Sequence, residues 1–244
     1  MDPGIYRRMA EVEDAHWWFS ARRAILEKVI ETLRLPCEAA ILEVGCGTGG
    51  NLPMLARHGR VFGLESEPLA IDFARKRGCA TVDRGWLPQD IPFAPHKFDL
   101  CLMTDVLEHL EREVESLCAI RGRLSSGASL LITVPALPFL WSSHDEAHHH
   151  LRRYVKAPLC ALVAQAGYRV RYASYFNSLL FAPIAAIRTV RRLILPRSDR
   201  RQHDLAMPPA PLNWILNSVF GLERYVIGRM SVPFGVSLLL LAQN

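Results

Sequence analysis

The stretch Ile41-Leu42-Glu43-Val44-Gly45-Cys46-Gly47-Thr48-Gly49-Gly50-Asn51 sets a short apolar run against alternating glycines and a polar residue placed to open a helix. Ala40–Val44 is nearly all apolar, as a strand covered on both faces is. The glycines let the backbone turn tightly and come close to a ligand, and the helix that follows offers free N–H groups to it. Spacing of this kind also occurs in dinucleotide folds and in ordinary loops. Two carboxylates sharpen it. Glu43 sits inside the strand end, where a charge is costly unless a polar or cationic group meets it. The next apolar run, Arg60–Leu64, leads into Glu65-Ser66, twenty residues beyond Gly45, where a carboxylate can accept both hydroxyls of a ribose. Together the two anchors predict an adenosine-type ligand.

Outward from this turn the pattern alternates. Helices are expected at Asn51–His58, Pro68–Arg77 and Glu111–Leu124, and strands at Arg60–Leu64, Ala80–Val82, Phe98–Met103 and Ser129–Val134, with Ser125–Gly127 as a turn. A long loop, Pro135–Lys156, precedes a helix at Ala157–Ala166 and a strand at Tyr168–Tyr175, and the last strand is Val236–Leu241. Such alternation predicts an α/β, Rossmann-like, doubly wound and mostly parallel sheet. Residues 5–34 carry apolar positions at helical spacing and are expected to form a cap rather than a core layer. Phe176–Pro233 reads as two helical stretches inserted before the last strand, the first interrupted by Pro183.

With 244 residues, half of them apolar, the chain can bury a large core. Its formal charge of +5 comes largely from arginines between Arg188 and Arg201, so a basic face is expected rather than a basic protein. The six cysteines are scattered without C-x-x-C spacing, which suits reduced core thiols, and no basic-then-apolar leader opens the sequence. A cytoplasmic protein without a membrane-spanning helix is expected.

E-V-G-C-G-T-G-G-N followed by G-L-E-S-E resembles the first two motifs of class I S-adenosylmethionine (SAM)-dependent methyltransferases. The resemblance implies a seven-stranded sheet with an antiparallel last strand and SAM as cofactor. It implies SAM contacts for Glu43, Gly45, Cys46, Gly47, Gly49 and Asn51, with ribose binding at Glu65 and Ser66. Where many relatives carry Gly-Asp-Ala, this chain has Arg84-Gly85-Trp86-Leu87, so Trp86 either lies on the adenine face with Leu87 or is a core anchor. Thr104-Asp105-Val106-Leu107-Glu108-His109 resembles the fourth motif, in the D-V-L-E-H form of a type-11/12-like subgroup. Thr104 is thereby a cofactor contact, Asp105 a catalytic candidate and His109 either a general base or a histidine that orders the loop.

His16-Trp17-Trp18-Phe19 and the Trp141…His144-Asp145…His150-Leu151-Arg152-Arg153-Tyr154 loop resemble a bacterial subgroup in which both occur. His150 and Tyr154 are catalytic candidates. Trp141, His144, Arg152 and Arg153 are candidates for the acceptor pocket, with His16, Trp17 and Trp18 closing over it as a lid. One of the two arginines could instead pair with Asp145 to brace the loop. The histidines within 144–150 could ligate a metal, yet no cysteine or H-E-x-x-H spacing supports one, and none is expected. The expected organisation is a cap at 1–38 and a SAM-binding domain at 39–244, with 176–233 as the insertion.

The expected chemistry is methyl transfer from SAM to O, N or C of a small-molecule or lipid-like acceptor. The alternatives are an enzyme that cyclises or cleaves SAM and a SAM-binding regulatory subunit. In the insertion, Arg188, Arg191 and Arg192 share a helix side with Arg197, Arg200 and Arg201 following. That face suits peripheral contact with an anionic membrane, or is simply solvated. Nucleic acid is not expected, because no stacking aromatics interleave the arginines.

Overall fold

The computed structural model describes residues 3–194 and 205–244. Its centre is one sheet built from β1 (Ala40–Val44), β2 (Arg60–Glu65), β3 (Thr81–Arg84), β4 (Phe98–Thr104), β5 (Leu124–Pro135), β6 (Arg169–Phe176) and β7 (Ser237–Gln243). Their order is β3-β2-β1-β4-β5-β7-β6. β1 pairs in parallel with β2 and β4, β2 with β3, and β4 with β5, whereas β7 runs antiparallel to both β5 and β6. The chain thus has the doubly wound sheet and reversed last strand expected of it.

Successive strand residues point to opposite faces, and both faces are apolar because helices cover both. Leu42, Cys101 and Leu130 belong to one core, closed by α5 (Glu113–Arg121) and α7 (Lys156–Gln165) through Leu117, Ile120, Leu159 and Val163. Ile41, Leu100 and Leu131 belong to the other, closed by α2 (Trp17–Glu31), α4 (Pro68–Lys76) and α9 (Ala210–Gly221). The expectation that residues 5–34 only cap the fold fails for α2, whose Ile25, Leu26, Val29 and Ile30 are buried in this second core. Ahead of it lies α1 (Pro3–Val12).

Several boundaries move for identifiable reasons. The helix expected at Asn51–His58 is only α3 (Leu52–Leu55), because the chain must return at once to β2. At Gly59 an added Cβ would lie 2.2 Å from the Ala39 carbonyl oxygen, so the strands pinch the loop there. The turn expected at Ser125–Gly127 is part of β5, where the Ser125, Gly127 and Ala128 carbonyls accept hydrogen bonds from Gln243 and Asn244. The long loop after β5 contains α6 (Ser143–Ala147). Pro183 does not interrupt α8 (Phe181–Ile194), since it falls in the first turn, where no intrahelical donor is needed. The side chains of Arg191 and Arg192, and all of Arg197, Arg200 and Arg201, lie outside the described residues. Of the cysteines, Cys46 and Cys101 are core thiols, but Cys37 and Cys118 are exposed.

Candidate functional site

Open α/β sheets bind ligands beyond the carboxyl ends of strands where the winding reverses, here between β1 and β4. A cavity of about 680 Å³ opens at that point. Gly45, Gly47 and Gly49 all take positive φ, and a Cβ on Gly45 would lie 2.6 Å from Val106. Gly45, Cys46 and Gly47 line the cavity. Gly49 does not. A Cβ there would press on Ala74 Cα and Leu52 Cδ1, each at 3.0 Å, so this glycine serves the packing of the turn against α4.

Glu43 ends β1 with its side chain buried. Oε1 accepts from Asn51 Nδ2 at 2.7 Å and from the Thr104 hydroxyl at 3.4 Å, while Oε2 is buried without a donor. Burial pushes its pKa up to about 7, the Asn51 hydrogen bond opposing only part of the shift. Glu65, at the end of β2, accepts from Gly47 N through Oε2, and from Ser66 N and Glu67 N through Oε1. Its carboxylate therefore fixes the glycine turn while still facing the cavity, as do Asn51, Ser66, Leu87 and Thr104. Trp86 is half-exposed on the cavity wall and is no core anchor.

The N-terminal helices roof this end. Arg77 holds Asp14 at 2.8 and 2.9 Å and Glu13 at 2.6 Å, and Glu13 accepts from the Thr48 hydroxyl at 2.6 Å. An added Cβ at Gly50 would sit 2.3 Å from Glu13 Oε2, so cap and turn are fitted to one another. His16 caps α2, its Nδ1 accepting from Trp18 N at 3.3 Å. His16, Trp17 and Trp18 all line the cavity. Trp18 also stacks on Phe220 and Phe176, with centroids 5.2 and 6.5 Å away. The aromatics thus have a core of their own, contrary to a lid that would need a ligand to close on.

A polar cluster from the segments after β4 and β5 lines the same cavity. Asp105, at φ +56°, pairs with Arg22 of α2 and accepts from the Thr133 hydroxyl at 3.2 Å. Glu108 is fully buried, and neither carboxylate oxygen receives a hydrogen bond. Burial, with Asp105 nearby, raises its pKa well above the usual carboxylate range. Burial, and then the neighbouring His150 ring, lower His109 to about 4, so it is a neutral imidazole at pH 7. His150 Nδ1 donates to Asp145 at 2.9 Å, and its Nε2 lies 3.9 Å from Glu108 Oε1. Burial alone would raise Asp145, but hydrogen bonds from His150, Arg153 and Ser142 N hold it well below the usual range.

Asp105, His109, His144, His150 and Arg153 are therefore brought together on this wall. Arg153 contacts Asp145 at 2.8 and 3.0 Å and the Ala136 carbonyl at 3.0 Å, so it is the arginine that braces the loop. Tyr154, Arg152 and Trp141 are not on the wall. The Tyr154 hydroxyl donates to Glu113 at 2.6 Å, and burial and that carboxylate raise its pKa, while Arg152 pairs with the same Glu113. Sequence reasoning passed over Tyr6, Glu13, Arg22 and Asn177, all of which line the cavity, and gave no role to Glu108. Asn177 is fully buried with both side-chain polar atoms unbonded. Ile184, Ile187 and Arg188 of α8 complete the wall.

Residues 42–132 match the profile of the family described as methyltransferase domain. No curated protein sequence matches the chain significantly. Among solved structures, a chain from the complex of the Haloferax volcanii Trm112 methyltransferase activator with a protein described as a methyltransferase aligns at 20% identity. The alignment covers 98% of this chain and 94% of that one, with TM-score 0.62. A TehB-like SAM-dependent methyltransferase from Corynebacterium glutamicum aligns at 19% identity over 99% and 94% of the two chains, TM-score 0.56. The [4+2]-cyclase SpnF aligns at 21% over 92% and 81%, TM-score 0.58.

Proposed function

Because residues 42–132 belong to a class I SAM-dependent methyltransferase domain, with SAM as its cofactor, we propose that the enzyme methylates a small, partly apolar acceptor carrying an ionisable O–H or N–H. The residues at the glycine turn fit SAM. The buried Glu43 Oε2 has no donor and suits an ammonium group, and Glu65 lies at the cavity where ribose hydroxyls need an acceptor. Bound SAM supplies a methyl group on a positively charged sulfur, open to in-line attack.

The rest falls to the chain. Tyr6, Trp17 and Trp18 exclude water from above, and the Arg22–Asp105 pair fixes the β4 loop beneath the cap. Alignment of acceptor and donor in this closed volume supplies most of the rate. The observation that carries the proposal is Glu108, a buried carboxylate without a donor, whose oxygen lies within 4.8 Å of ring nitrogens of both His109 and His150. Its raised proton affinity suits it, from the ionised form, to take the proton that leaves the acceptor through His109.

The test uses methyl-labelled SAM with a fractionated metabolite extract, then the product found. Glu108→Gln is expected to lower kcat by about 100-fold, within the range of acid–base catalysis, with S-adenosylhomocysteine affinity kept. Full activity in that variant defeats the proton role. Consumption of SAM alone, seen by mass spectrometry, would mean a SAM-cleaving or cyclising enzyme, and turnover only with an added protein would mean a dependent subunit.

A lipid-like acceptor is a second reading. Ile187 lines the cavity yet is 52% exposed, and Trp214 and Ile215 of α9 are 69% and 48% exposed, leaving apolar surface on both insertion helices. Among the described residues no helix is long and apolar enough to cross a membrane, so any membrane contact would be peripheral. Flotation with anionic liposomes at low and high salt tests it. A protein that stays with the soluble fraction at low salt leaves the insertion as a pocket wall.

A further inference from the structure

Three imidazoles gather in the loop after β5, beside the proton-accepting pair. His144 lies in α6 and His148 at its end, four residues on and so on one face, and His150 follows two residues later. One ring nitrogen from each lies within 4.8 Å of the others, and all three side chains line the cavity.

His150 is held as a metal-bound histidine is held. Asp145, fully buried, accepts from its Nδ1, which leaves the Nε2 lone pair as the ligand atom. Asp145 is itself fixed by Arg153 and by the Ser142 backbone N–H at 2.8 Å. An independent observation points the same way. Glu108, 3.9 Å from His150 Nε2, is a carboxylate buried without any hydrogen-bond donor, a cost that a nearby cation offsets. Solvated histidines on a loop would need neither a buried carboxylate behind them nor one beside them.

We propose that His144, His148 and His150 bind one divalent cation of the zinc type, with its remaining coordination position open to the acceptor cavity. Three imidazole ligands select a borderline transition metal over magnesium or calcium, which take oxygen ligands. Zinc–nitrogen bonds of about 2.0–2.1 Å set tetrahedral ligands roughly 3.4 Å apart. A cation bound there would acidify an acceptor hydroxyl at the open position, and Glu108, kept ionised by the cation, would take the proton while the electron pair of the broken O–H bond stays on oxygen. That last step rests on the methyl-acceptor reading, whereas the metal site does not.

The test is titration of the metal-stripped full chain with Co²⁺ and Zn²⁺ by calorimetry and visible absorption. One ion per chain with tetrahedral d–d bands is expected. His144→Ala and His148→Ala should each weaken binding by 100-fold or more, and Asp145→Asn by about 10- to 100-fold, with His96→Ala as an unaffected control. S-adenosylhomocysteine calorimetry on each variant confirms that it is folded. If Asp145→Asn does not fold, His148→Ala decides. Absence of stoichiometric binding, or an ion retained when His144 and His148 are both alanine, overturns the site. Because no methyl transfer is read, a negative result leaves the acceptor reading standing, and a bound metal without methyl transfer to any O–H or N–H acceptor defeats that reading alone.

Discussion

Glu43 should make cofactor binding pH-dependent, with a sign and size that follow from its burial. Its pKa rises from 4.5 to about 7 in the folded protein, a shift worth about 3 kcal/mol at 1.36 kcal/mol per unit. The folded chain holds this proton more tightly than the unfolded chain. Its contribution to stability is therefore fully favourable below about 4.5, falls as pH rises, and levels off above about 7. A ligand ammonium beside Oε2 reverses the balance by favouring the carboxylate. Binding of S-adenosylhomocysteine should then release about half a proton at pH 7 and about 0.9 at pH 6, and affinity should rise about tenfold from pH 6 to pH 8. Calorimetry in buffers of different ionisation enthalpy reads the proton directly. Glu43→Gln should abolish the release, lose at least tenfold in affinity, and flatten the loss of urea stability between pH 5 and 8. Proton release unchanged in Glu43→Gln, or affinity in the parent protein that does not vary with pH, would refute the argument.

Glu65→Ala removes the acceptor expected for the ribose and three backbone N–H partners at once. S-adenosylhomocysteine should weaken by roughly 1–3 kcal/mol in calorimetry, and NAD should bind neither protein; equal NAD affinity would undo the cofactor assignment. Gly49→Ala forces a Cβ against Ala74 and Leu52 at φ +86°, so urea unfolding should show a loss of about 1–3 kcal/mol. A neutral result would mean that α4 yields. Residues 17–25 should be protected from hydrogen exchange without any ligand, since Trp18 stacks on Phe220 and Phe176. Protection that appears only with S-adenosylhomocysteine would restore the mobile lid.

The sheet was legible because nearly continuous apolar runs separated by helical periods admit few arrangements, and the glycine turn marks where the winding reverses. What escaped depended on distant partners. Ser125–Gly127 carries turn residues, yet Gln243 and Asn244 pair with its backbone from the far end of the chain. Helical spacing in residues 17–31 was visible, but nothing local says that this helix lies on the sheet. At the site, the anchors Glu43 and Glu65 stand in short-range motifs and were found. Glu13, Arg22 and Asn177 sit in ordinary-looking segments and matter only through what the fold sets beside them. Glu108 was in plain view within D-V-L-E-H; its lack of any hydrogen-bond donor is a property of the packed interior alone. Tyr154 and Arg152 carry reactive groups, but Glu113 on α5 draws both away from the cavity.

After β6 the backbone N–H groups of Asn177, Ser178 and Leu179 all donate to the Glu223 carboxylate, at 2.6, 2.6 and 3.0 Å. One side chain thereby fastens the point where the insertion departs to a point near its return, and β6 and β7 pair directly with one another. The chain from Leu180 to Leu222 is in effect a panel with this clasp at its base and a second seam along α9, where Asn213 bonds Trp17 N and the Ala15 carbonyl and Phe220 packs on Trp18. Its inner surface, through Ile184, Ile187 and Arg188, lines the cavity, while the glycine turn and the β4 loop are anchored elsewhere. Changes on the cavity face of α8 can therefore alter what the cavity admits without touching the glycine turn, whereas α9 must keep its fit to the cap.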